Sequence, residues 1–96
     1  MSPLKRKELV KIRLELDKLD NSFIKLIKKR TNLVNQVLKL KDYKNQIIDK
    51  KRIKIILNRI KKKSIKNNID PKITNRIWKN MIWSYINYEK RNFKKK

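Results

Sequence analysis

Residues 9–40, LVKIRLELDKLDNSFIKLIKKRTNLVNQVLKL, decide the fold. Apolar side chains recur at Leu9, Ile12, Leu16, Leu19, Phe23 and Leu26, then at Leu33, Val37 and Leu40, in alternating steps of three and four. That is the helical period, sustained far beyond four turns. The slot between Leu26 and Leu33 belongs to the same series, yet Arg30 fills it. No proline interrupts the run from Leu4 to Asp42, so the pattern predicts one helix over about residues 4–42, more than roughly 50 Å long at 1.5 Å per residue. A compact chain of 96 residues has a radius of gyration of only about 12–13 Å. Two short helices cannot cover the apolar stripe of such a rod, and the pattern therefore calls for a second chain.

Reading outward, the period is lost from Tyr43 to Ile48, and Asp49 offers a capping carboxylate for a second helix over about 50–66. Its apolar face is Ile53, Ile56, Leu57 and Ile60. Asn67-Asn68 reads as a helix end, because asparagine tolerates the left-handed conformation where glycine is lacking. Asp70-Pro71 pairs a capping side chain with proline at the first helical position and opens a third helix over about 71–91. That helix is expected to turn Ile73, Ile77, Trp78, Met81, Ile82 and Tyr85 inward, with Glu89 one turn further on. Residues 92–96 form a basic tail. The expectation is one all-α domain, 1–96, with one long and two shorter helices per chain, assembled as an intertwined two-fold homodimer.

Composition narrows the chemistry. The sequence holds no cysteine, histidine or glycine, which removes disulfides, the usual zinc sites, histidine-based triads and every glycine-rich phosphate cradle. No metal and no cofactor is expected. The formal charge of +22 would ordinarily point to nucleic acid, but lysine outnumbers arginine 23 to 7 and asparagine and isoleucine are enriched with it, as an AT-rich genome would produce unaided. The reading is accordingly no nucleic-acid partner. No secretory signal and no apolar run of membrane-spanning length is present, so the expected location is the cytoplasm, with no membrane partner.

Several charges nevertheless converge on apolar faces, where an unpaired ion costs several kcal/mol. Arg13 and Lys41 flank the stripe that Arg30 interrupts, Arg52 opens the second helix beside its apolar face, and Glu89 lies on the inward face of the third. Arg30 and Lys41 are about 16 Å apart along a helix, close enough for two long side chains to grip one small ligand. Arg13 lies roughly 42 Å from Lys41 along the same rod and can join them only from another chain, as an antiparallel pairing of two long helices would allow. Such a pocket suits a small di-anion, since arginine forks hold carboxylates bidentately. Asp49 and Glu89 add acceptors, or Glu89 a donor when it carries a proton. With no nucleophile beside a base, the reaction must run on positioning and electrostatics.

In this order these residues resemble the all-helical (AroQ-type) chorismate mutases. The resemblance spans about Glu8 to Glu89 and rests on Ile12-Arg13 before Leu19-Asp20, the Lys29-Arg30 pair, Lys41, Asp49 with Arg52, and Asp70-Pro71 ahead of Trp78. It implies a cofactor-free Claisen rearrangement of chorismate to prephenate, in the phenylalanine and tyrosine branch of aromatic amino-acid biosynthesis, at sites shared across the dimer. It further implies that Arg13 of the partner subunit, Arg30 and Arg52 bind the two carboxylates, that Lys41 meets the ether oxygen and a carboxylate, and that Asp49 meets the ring hydroxyl. Lys41 and Glu89 would be the catalytic pair. Glu89 stands where the family places a glutamine or glutamate that donates to the ether oxygen, a task for which it must be protonated. Two positions depart from the pattern: Ile53 replaces a common glutamate, and Tyr85 a small hydroxyl residue. Both departures also resemble an isochorismate pyruvate lyase of the same fold, which remains the alternative. A basic helical module that binds nucleic acid or an acidic partner is the other alternative, and it leaves Arg30 unexplained.

Overall fold

The structure is a computed structural model and describes residues 1–94; the last two residues of the basic tail lie outside it. Helix α1 spans Pro3–Leu40, a single 3-10 turn covers Lys44–Gln46, helix α2 spans Lys50–Lys66 and helix α3 spans Pro71–Asn92. The described residues contain no strand. None of the helices is long and apolar enough to cross a membrane. The chain divides into two units, one up to Leu33 and one from Val34 onward.

The first unit is the greater part of α1, an uninterrupted helix with most of its apolar stripe exposed. Ile12, Leu16, Leu19 and Leu26 are all exposed, and Phe23 leaves 60% of its surface open. Fully burying a side chain of this size is worth about 1.5–3 kcal/mol, so the uncovered stripe is a large unused source of stability.

The second unit holds the buried core. Leu38 from the end of α1, Ile47 from the joint, and Ile82 and Ile86 from α3 form it, with Ile48, Ile53, Ile56, Leu57 and Phe93 packed around them. The joints are set by short polar contacts. Gln46 accepts at its side-chain oxygen from the backbone N–H groups of Asp42 and Tyr43, at 2.7 and 2.9 Å, which curls the chain back after α1. Asp49 caps α2 by accepting from the Arg52 N–H at 2.9 Å. Asn68 takes a positive φ of 55° to end α2, as the missing glycine requires, and Asp70 caps α3 through the Lys72 N–H at 2.9 Å. Since that cap sets where α3 starts, Asp70→Ala is expected to cost about 0.5–2 kcal/mol of stability in a denaturant melt; a loss within error would show that the joint is held by other means.

One part of the predicted core is corrected. Ile73 and Ile77 are exposed in the chain, at 57% and 53%, whereas Ile86 is buried. The reason lies in how α3 meets α2. Ser64 is buried on the α2 stripe, where its hydroxyl lies 2.6 Å from the Ile60 carbonyl and 2.6 Å from the Thr74 hydroxyl, which in turn reaches the Pro71 carbonyl at 3.3 Å. That pair turns Thr74 toward α2, followed at helical spacing by Trp78, Ile82, Ile86 and Glu89, and rotates Ile73 and Ile77 to the outside.

Candidate active site

The polar center of the second unit is an ion pair. Glu89, on α3 one turn past Tyr85, is only 6% exposed. Its Oε1 lies 3.1 Å from the Lys41 Nζ, and the same ammonium donates to the Ile47 carbonyl at 3.5 Å. Lys41 is the first residue beyond α1, where its backbone N–H still reaches the Leu38 carbonyl at 3.2 Å. The joint then brings Ile47 over the core, so the lysine is folded inward rather than left in water. Two of its three N–H bonds are thereby occupied. The charge-assisted bond to the buried carboxylate is the stronger of the two and orients the ammonium. An ion pair with a buried carboxylate seldom stabilises a fold beyond what apolar residues would do.

Lys41 also lines an open groove with Gln46, Ile48, Asp49 and Lys50. Asp49 spends Oδ1 on capping α2, which leaves its other oxygen to accept from a hydroxyl. Arg52 follows in the first turn of α2, exposed. The structure thus places Lys41, Asp49, Arg52 and Glu89 in one unit, with Lys41 and Glu89 in contact and Lys41 and Asp49 on one groove. Ile53 is half-buried and packs against the core cluster. Tyr85 is half-buried and stands edge-on to Tyr88, with ring centroids 6.4 Å apart. Arg30, on α1 in the first unit, is half-buried, and Arg13 in the same unit is exposed and forms no ion pair among the described residues.

Sequence reasoning missed the residues that hold this arrangement. The Tyr88 hydroxyl donates to the Asn35 side-chain oxygen at 2.7 Å and ties α3 to the last turns of α1. Gln46 organises the joint that delivers Lys41. A signal for Asn35 existed in hindsight: it lies three residues before Leu38, a polar residue on a helix face that turns out to be buried.

With this geometry in place, the comparison with known families is direct. Residues 12–90 match the family described as chorismate mutase type II. The chain belongs to that family. Compared with curated proteins and with solved structures, it finds no match. The matched span begins just before Arg13 and ends just after Glu89, so every candidate residue falls inside it. The helical architecture and the order of α1, α2 and α3 agree with an all-helical chorismate mutase family member.

The groove is chemically simple. A fixed ammonium, a half-free carboxylate and nearby cations can hold an anionic ligand and donate to an oxygen on which charge develops.

Proposed function

We propose that this chain is a chorismate mutase, converting chorismate to prephenate without a cofactor, as a homodimer with sites shared between subunits. The observation that carries the reading is the ion pair of Lys41 with the buried Glu89 at 3.1 Å, with Lys41 and Asp49 lining one groove in a chain of this family. The reaction is intramolecular: one C–O bond breaks, one C–C bond forms, and nothing leaves. The protein must fold the substrate into the reactive shape and stabilise negative charge at the ether oxygen as the C–O bond lengthens. The third N–H of Lys41 is the donor to that oxygen, and Glu89, as the carboxylate of the ion pair, fixes its direction. Arg30 and Arg52 hold the carboxylates together with the partner subunit's Arg13, and the free oxygen of Asp49 accepts from the ring hydroxyl. A millionfold acceleration needs about 8 kcal/mol of differential stabilisation, within reach of several charge-assisted bonds and a restricted conformer.

The uncovered stripe of α1 supports the dimer, since its apolar residues are exposed in a single chain and lie at a spacing suited to a second helix. Cytoplasmic aromatic amino-acid biosynthesis is the setting in which this activity would serve.

Ile53 and Tyr85 are the features that favour the lyase alternative, and the substrate decides between them. Offered separately, chorismate is expected to yield prephenate and isochorismate to remain unchanged. Salicylate and pyruvate from isochorismate, with chorismate untouched, would overturn the mutase reading.

A further inference from the structure

The second unit has another groove, and it shares no lining residue with the one at Lys41. It runs between α2 and α3 over a floor of Leu57 and Pro71, and its polar rim is Lys54, Asn58, Lys61, Lys72 and Asn75. Lys54, Asn58 and Lys61 are spaced four and three apart and share one face of α2, over a length of about 10 Å. Lys72 and Asn75 face them from the first turns of α3. None of the three lysines forms an ion pair among the described residues. Three like charges are therefore gathered along a cleft whose lining holds no carboxylate, beside two amide side chains able to donate, with Asp70 at the α3 end engaged as the cap of that helix.

The surrounding sequence deepens the asymmetry. Helix α2 carries nine lysines and arginines and no acid, and between Asp49 and Glu89 the sole carboxylate is Asp70, whose Oδ1 caps α3. Four of the eight acids of the chain fall within its first 20 residues. An AT-rich genome raises lysine everywhere, but it leaves aspartate and glutamate their codons GAT and GAA, each two-thirds A and T. Base composition accounts for the number of lysines and not for the clearing of carboxylates from one stretch.

We infer that the α2–α3 groove is a binding site for a compact oligophosphate. Lysine ammonium groups serve as point-charge partners for phosphate oxygens, and two of them about 10 Å apart along α2, faced by a third on α3 across the groove, suit a chain of phosphoryl groups better than a single anion. The asparagine amides add neutral donors to oxygens between the charges. This inference is independent of the catalytic reading, because no residue is common to the two sites.

The test is calorimetric titration of the full chain with inorganic tripolyphosphate, and in a second arm with ATP, at near-physiological salt. Two triple variants are compared: Lys54→Gln with Lys61→Gln and Lys72→Gln in the groove, and Lys62→Gln with Lys63→Gln and Lys66→Gln elsewhere on α2. Each removes the same charge. The expected result is saturable one-to-one binding per chain, weakened about tenfold or more by the groove variant and less than about threefold by the control, with chorismate turnover unchanged in both. Equal affinity for tripolyphosphate and ATP would identify the phosphate chain as the ligand, and tighter binding of ATP a nucleotide; either supports the site. Equal losses in the two variants would reduce the groove to part of a diffuse positive field and overturn it. So would tighter binding of an oligonucleotide that both variants weaken alike, with a steep salt dependence, or the absence of saturable binding. The single Lys61→Gln variant, with one exposed charge removed, keeps the comparison open if either triple variant unfolds.

Discussion

Mixing two inactive variants, Arg13→Ala and Arg30→Ala, is expected to restore turnover. Each variant alone should lose roughly a hundredfold to a thousandfold in kcat/KM, the usual effect of deleting one charged donor at a reacting center. If the site takes Arg13 from one subunit and Arg30 from the other, a mixed dimer has one site lacking both arginines and one site lacking neither. Random assortment makes half the dimers mixed, so about a quarter of all sites become fully native by two-fold symmetry. The experiment uses joint refolding or coexpression, because chains interlocked as proposed would exchange slowly. Were both arginines to come from the same chain, every site in a mixed dimer would lack one of them, and the mixture would stay as inactive as its components. The measurement thus reads the sharing of sites directly, through an increase in activity that misfolding cannot mimic.

Phe23→Asp is the second large effect. The side chain is 60% exposed in the single chain and sits in the middle of the apolar stripe, where a pairing of two α1 helices would bury it. A carboxylate there costs several kcal/mol if left unpaired away from water, and symmetry applies the penalty from both subunits. Sedimentation should show a loss of dimer, with turnover falling in parallel because each site loses the partner subunit's Arg13. A variant that remains dimeric and active would remove the stripe from the interface. A wild-type chain that sediments folded and alone would remove the dimer altogether. The exposed control Lys25→Asp reverses a charge on the same helix and should change neither property strongly.

Much of the fold could be read from sequence because the signals are local. The period of α1, the cap at Asp49, the end at Asn67-Asn68 and the start at Asp70-Pro71 each depend on residues within a few positions of one another, where backbone geometry and short side chains act directly. The inward face of α3 was read less well. Ile73 and Ile77 have the right chemistry for a core, but a contact between the Ser64 and Thr74 hydroxyls sets the rotation of the helix, and hydropathy alone is blind to it. The pairing of Lys41 with Glu89 was equally hidden. Each residue could be singled out as a charge beside an apolar face, yet they stand 48 positions apart.

By itself, then, the sequence determined that the chain is helical, where its helices begin and end to within two residues, with α1 closing at Leu40 and not Asp42, and which family it belongs to. Those properties follow from short-range geometry and from the spacing of side chains. Only the tertiary structure decided that Lys41 folds back onto a buried Glu89, that Tyr88 ties α3 to Asn35, that Ile86 and not Ile77 enters the core, and that three lysines meet across α2 and α3. These depend on how distant segments pack, and packing is settled by the shapes and hydrogen bonds of all the contacting surfaces together, which no single stretch of residues contains.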